Sequence, residues 1–188
     1  MIYSFELLAQ YSAMNKLNLV LIMTVMTVAV FNQSKAESHS EPQVVDNVDL
    51  NRYMGTWFEV GHLPSFFQKL CERSIAEYSL TEMGTVNVLN TCVRNEKVLT
   101  TISGVTTVVD SSEPAKLIVD FGFLRKGDYW IINLDNDYQR AVVSGSNKES
   151  LFILSRTIPL AEKTLMRILK KLDKQGFDTS KIIYDIYE

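Results

Sequence analysis

Beyond Leu50 most of the chain alternates apolar and polar residues at period two, cut into short runs by turn-forming clusters. Residues 74–80 and 86–90 are joined across Glu82-Met83-Gly84, a pattern that predicts two strands and a tight connection. Runs over 99–109, 116–123, 129–134, 140–144 and 151–155 predict five more, separated by clusters at 110–114, 125–128, 135–137 and 145–147. A strand around Trp57 brings the count to eight. A meander of eight antiparallel strands loses its exposed edges by closing into a barrel, which has room for one small ligand; a two-sheet sandwich is the alternative.

The period turns helical over 159–175. Leu165, Ile168, Leu169 and Leu172 share one face, and Lys163, Lys170, Lys171 and Lys174 the other, which predicts one helix packed outside the sheet. Pro159 suits its first position and Gly176 its C-terminal cap. Residues 181–187 read as a short edge strand. At the other end, residues 37–47 are polar, contain Pro42 and lack a period, which predicts a flexible leader. The preceding run over 17–31 is 15 residues without a charge, flanked by Lys16 and Ser34-Lys35-Ala36. That is a signal segment at 1–36, cleaved after Ala36 and short of the roughly 20 residues a membrane span needs. Residues 1–13 carry Glu6 and no Lys or Arg, which places the functional start at Met14 and leaves 1–13 untranslated. The expected product is exported, periplasmic or secreted, and soluble, with one domain over 48–188.

The whole chain has a formal charge of −3, and residues 37–188 have 17 basic against 21 acidic groups. Mild acidity without clustered Lys and Arg argues against a nucleic-acid partner. Both cysteines, Cys71 and Cys92, follow the signal segment, where an oxidising compartment favours a disulfide over a reactive thiol. The two histidines, His39 and His62, are too few and too far apart for a metal site, so neither metal nor cofactor is expected. No Ser, His and Asp arrangement and no Gly-rich phosphate loop stands out.

Gly55-Thr56-Trp57 on the first strand, Ser155-Arg156 closing the eighth, and the trailing helix together resemble the lipocalin family, over Val48 to about Tyr187. DLNRYMGTWFEV, LDNDYQRAVVSG and LFILSRT are most similar to the bacterial outer-membrane lipocalins and the group around apolipoprotein D. The middle motif departs from the usual Thr-Asp-Tyr: Leu134-Asp135-Asn136 precedes a displaced Asp137-Tyr138. The resemblance implies an all-β, eight-stranded antiparallel up-and-down barrel with one C-terminal helix outside it. It also implies structural roles for Gly55, for Trp57 as the floor, and for Arg156 laid across that floor. Lipid anchoring does not carry over, because no cysteine stands beside the cleavage site.

Strand alternation from Trp57 turns Glu59 and Gly61 inward and Phe58, Val60 and His62 outward; alternation from Arg156 turns Leu154 and Phe152 inward. The family register adds Ala76, Tyr78, Val86, Val88, Asn90, Gly104, Thr106, Val108, Leu117, Val119, Phe121, Tyr129, Ile131 and Asn133. From these the candidate ligand-binding set is Tyr78, Val88, Val119, Phe121, Tyr129, Ile131, Phe152 and Leu154. The implied function is to bind and carry a small hydrophobic or amphipathic ligand, a fatty acid or lysophospholipid, in lipid transport or membrane maintenance. Its partners would be that lipid and, transiently, a membrane surface at the periphery of the outer membrane. Two alternatives stand beside this non-enzymatic reading: an enzyme of lipocalin type using Cys71, and an interaction protein whose barrel is filled by Phe152, Phe121, Tyr78 and Tyr129.

Overall fold

The computed structural model describes residues 40–122 and 126–187; the signal segment at 1–36, including 1–13, lies outside the described residues. A one-turn helix, α1 (Leu50–Tyr53), precedes β1 (Gly55–His62). Then come β2 (Arg73–Leu80), β3 (Val86–Arg94), β4 (Lys97–Val108), β5 (Lys116–Asp120), β6 (Lys126–Leu134), β7 (Arg140–Ser144) and β8 (Leu151–Ser155). Helix α2 (Glu162–Lys174) and a two-residue strand β9 (Ile183–Tyr184) complete the chain. The strands run in the order β2-β3-β4-β5-β6-β7-β8-β1-β9, and β1 also pairs with β2, which closes eight antiparallel strands into a barrel.

Two apolar cores lie on the two faces of that sheet. The inner one gathers Trp57, Tyr78, Val88, Leu117, Ile131, Val143 and Leu154. The outer one lies under α2, whose Leu165, Ile168, Leu169 and Leu172 all pack on Trp130, Ile132, Val142, Leu151 and Ile153. The helical period therefore identified the buried face of α2 in full.

Several boundaries differ from the sequence reading. The helix begins at Glu162, after Ala161, and not at Pro159. Pro159 follows a cis peptide in the connector, while Leu160 packs against the outer core. Gly176 does end the helix with φ +84°, and Phe177 N–H donates back to the Leu172 carbonyl at 3.1 Å. Strand β3 runs on to Arg94 and turns through Asn95 and Glu96 with φ of 49° and 58°, a two-residue hairpin geometry. Glu is not a usual residue for that turn; Arg73 reaches across to hold its carboxylate. β5 stops at Asp120, leaving Phe121 in the turn beyond. Within the leader, Val45 N–H donates to the Ile131 carbonyl at 3.0 Å, and Val44 and Val45 pack on the inner core.

Candidate functional site

The barrel has two unlike ends. At the closed end Trp57 is completely buried and its indole N–H donates to the Tyr53 carbonyl at 2.8 Å. Arg156 lies over the indole, its Cζ 3.8 Å from the ring centroid. Its guanidinium donates to the carbonyls of Thr56 (2.7 Å), Tyr53 (2.9 Å) and Met54 (2.6 Å), with longer contacts to Arg52 and Tyr138. All of these carbonyls but that of Tyr138 belong to α1 and the chain leaving it, so one side chain both caps a short helix and covers the floor. Gly55, at φ +93°, is required twice over: the backbone is left-handed there, and a Cβ would stand 3.3 Å from Arg156 Nη1. The displaced Tyr138 belongs here too. Its hydroxyl accepts from Asp49 N–H at 2.8 Å, and Arg52 stacks 4.0 Å over its ring.

Helix α1 escaped the sequence reading because four residues carry no period. Its consequence is Tyr53, which enters the barrel and completes a chain of hydroxyls: Tyr53 to Tyr129 at 2.8 Å and Tyr129 to Tyr78 at 2.9 Å. Burial pushes the Tyr78 phenol up to about 12 and the other two well above their ordinary value, so the chain is neutral. The void left beside the three rings is about 10 Å³, room for one water at most. The lower half of the barrel is thus packed.

All eight candidate ligand-binding residues fall in the inner core. Tyr78, Val88, Ile131 and Leu154 are buried, whereas Val119, Phe121, Tyr129 and Phe152 are only partly so. Ile102 and Asn90, which pair with each other, are half-exposed, and Thr100 on the inward parity is exposed. Inward side chains that meet solvent define an open cup above the tyrosines. Phe121 lies over Gly104, where a Cβ would come within 2.6 Å of its ring.

Two β-bulges alter the expected lining. One between Glu59 and Gly61 slips β1 against β8, so that Gly61 pairs with outward Ile153 and His62 with inward Phe152. Gly61, expected inward, therefore faces outward, where a Cβ would meet the Ile183 carbonyl at 2.8 Å. His62, expected outward, is buried. The second bulge lies between Ile131 and Asn133 and turns Asn133 out toward Lys171 of α2. Both errors have one cause: an inserted residue inverts the alternation beyond it.

His62 joins a polar cluster at the mouth. Its Nδ1 is 2.6 Å from Glu59 Oε1 and 3.7 Å from Asp185 Oδ1. Asp185 arrives because β9 pairs with Gly61 and His62 just where β1 and β2 part. Asp185 N–H donates to the bulged Val60 carbonyl at 3.1 Å, and its carboxylate accepts from Ser74 N–H at 2.6 Å. Gln68, on the β1–β2 loop, donates to both Glu59 oxygens at 2.8 and 3.0 Å and to the Ser74 hydroxyl at 3.2 Å. Burial pushes Glu59 above the usual carboxylate range, against the opposing pull of His62. Burial alone would lower the His62 imidazole, but Asp185 and Glu59 outweigh it and hold it at about 9. Apart from the inward parity of Glu59, nothing in the sequence pointed to this cluster, since its members span residues 59 to 185.

Cys71 and Cys92 form a disulfide with Cα atoms 5.3 Å apart. Cys92 pairs in register with Ser74; Cys71 reaches it because the loop folds back, with Cys71 N–H donating to the Gln68 carbonyl at 3.0 Å. A bonded Cys71 has no thiol with which to act as a nucleophile. A concavity of about 780 Å³ runs across β1–β5. Its lining includes Tyr78, Val88 and Phe121 of the candidate set beside exposed, outward-facing Thr56, Glu77, Ser79, Asn87 and Val105.

A family model described as a lipocalin-like domain matches residues 48–186. Temperature-induced lipocalin-1 of Arabidopsis thaliana is 38% identical over 151 residues, covering 76% of this chain and 81% of that protein. Outer membrane lipoprotein Blc of Escherichia coli (strain K12) is 34% identical over 142 residues, covering 75% and 80%. Apolipoprotein D of Cavia porcellus is 34% identical over 149 residues, covering 75% and 78%. Among solved structures, insecticyanin from the tobacco hornworm Manduca sexta superposes with a TM-score of 0.63 at 21% identity, over 79% of this chain and 85% of that one.

Proposed function

This chain belongs to the lipocalin family, and from that premise we propose that its barrel carries a single-chain lipid, a fatty acid or lysophospholipid, tail inward and head toward the mouth. Membership supports binding of a small hydrophobic ligand in the barrel. The observation that carries the finer reading is the open cup: Phe152, Val119 and Phe121 point inward, are apolar, and remain partly exposed above a floor of hydroxyl-linked tyrosines. A tail fits above that floor and not below it, so Ile131, fully buried, supports the wall and does not touch the ligand. Phe66, Phe67 and Leu70 stand exposed on the loop at the mouth, which favours collection of lipid from a membrane surface. Family members of this kind are carriers, and the disulfide removes the candidate nucleophile. Among the described residues no helix is long and apolar enough to cross a membrane. Export to the periplasm or the cell exterior, close to an outer membrane, accords with the signal segment and with the outer membrane lipoprotein among the relatives.

The test is displacement of an environment-sensitive fluorescent fatty acid. Phe152→Asp puts an unpaired charge in the path of the tail, which costs several kcal/mol and weakens binding by about two orders of magnitude or more. Phe58→Asp, whose ring packs outside the barrel at 6.3 Å from Tyr187, leaves affinity unchanged in folded protein. A parent protein that displaces no probe would overturn the carrier reading; equal binding by Phe152→Asp would overturn the position of the tail.

A further inference from the structure

Two carboxylates and an imidazole from separate parts of the chain meet at the mouth, and two polar atoms among them lack a partner. His62 Nδ1, despite its 2.6 Å approach to Glu59 Oε1, is buried without a hydrogen bond of acceptable direction. Gln68 Oε1 is likewise buried and unpartnered, although Nε2 of the same amide donates to three oxygens. The side chains of Glu59, His62 and Asp185 are 6%, 5% and 3% exposed, so solvent does not supply the missing partners. Two carboxylates against one imidazole also leave the buried set short of positive charge.

We propose that Glu59, His62 and Asp185 form a binding site for one divalent transition-metal ion, braced by the hydrogen bonds of the Gln68 amide nitrogen to Glu59. The ligand atoms of the three residues lie within 4.8 Å of one another. Metal–donor bonds of about 2.0–2.2 Å in a tetrahedral site put neighbouring donors about 3.4 Å apart. The 2.6 Å contact then opens by less than 1 Å and the 3.7 Å contact closes slightly. An imidazole beside carboxylates suits Zn²⁺, whereas Ca²⁺ and Mg²⁺ take shells of six or more oxygens, many of them water, that this enclosed set does not offer. Two carboxylates balance a dication, so the bound site is electrically neutral. It also joins three segments: β1 through Glu59 and His62, the mouth loop through Gln68, and the C-terminal segment through Asp185. An ion held there clamps the lip of the barrel independently of which lipid the cup takes.

Isothermal titration of chelator-treated protein with Zn²⁺ tests this. One ion per chain is expected, at micromolar affinity or tighter, with a Tm that climbs as Zn²⁺ is added and stays put with Ca²⁺ or Mg²⁺. Loss of an outer-shell partner weakens a metal site about 10–100-fold, so removing a direct donor in Asp185→Asn or Glu59→Gln is expected to cost about a hundredfold at least. Circular dichroism of each variant separates that loss from misfolding. Co²⁺ bound to the parent adds a second readout, a visible absorption band that His62→Ala abolishes. No stoichiometric Zn²⁺ binding by the parent, binding undiminished in folded Asp185→Asn, or Ca²⁺ binding as tight as Zn²⁺ would each overturn the site. None of these measurements involves lipid, so failure of the carrier reading leaves them decisive.

Discussion

The closed end and the mouth of this barrel solve opposite problems with the same strand, β1. At Trp57 the strand runs in regular alternation, and what it buries is apolar or neutral: an indole, three phenols and backbone carbonyls answered by one guanidinium. Two and five residues on, to either side of one bulge, the same strand buries the Glu59 carboxylate and the His62 imidazole beside a second carboxylate. The first arrangement gains from every group it removes from water. The second holds charge in a place where each unpaired group costs free energy, and proteins keep such clusters where they serve a site. Stability therefore belongs to the floor and buried charge to the lip.

Four variants would break or sharpen that contrast. Trp57→Ala, at the floor, is the most damaging: loss of a fully buried aromatic costs about 3–5 kcal/mol, read as a fall in the denaturant midpoint. Paired Cys71→Ser and Cys92→Ser open a loop with a sequence separation of 21 and cost about 3 kcal/mol. Because that bridge ties down the mouth, limited proteolysis should start at residues 66–70 in this variant and not in Trp57→Ala. If removing the bridge costs more than removing the indole, the assignment of stability to the floor is wrong. Gly55→Ala forces a Cβ into left-handed backbone beside Arg156 and should cost about 1–2 kcal/mol while leaving lipid affinity intact.

The smallest effect concerns Asp135, in the β6–β7 turn at the closed end. Burial raises its carboxyl, but hydrogen bonds from the Arg140 and Gln139 amides and the Arg140 side chain win, so its value lies below the ordinary 3.8. A depressed carboxyl contributes stability above the unfolded value, and that contribution disappears as pH falls through the folded one. Asp135→Asn should thus be less stable than the parent by under about 1 kcal/mol at pH 7, and the two unfolding curves should converge below pH 3.8.

The eight strands, the buried face of α2 and the pairing of Cys71 with Cys92 were legible along the chain, because each is written in a local period or in a rare residue type, and the Trp57–Arg156 floor was legible through the family resemblance. So, with the family register added to alternation, were the eight inward positions, all of which fall in the inner core. Tyr53 was not, for a helix of one turn has no period to detect. Neither were Gly61, His62 and Asn133: a bulge is a property of two strands in register, and one strand read alone gives no sign of the extra residue.

Asp185 marks the limit most clearly. As part of a run over 181–187 it reads as an edge strand of no special note, yet its carboxylate ends beside residues more than a hundred positions earlier. What brings it there is the parting of β1 from β2 beyond Phe58, which leaves a gap that β9 fills, together with the absence of a Cβ at Gly61 that lets it approach. Periodicity along one chain decided which residues of α2 and of the unbulged strands are buried and which exposed. Only closure of the sheet decided which buried residues meet, because contact depends on register and divergence between strands far apart in sequence.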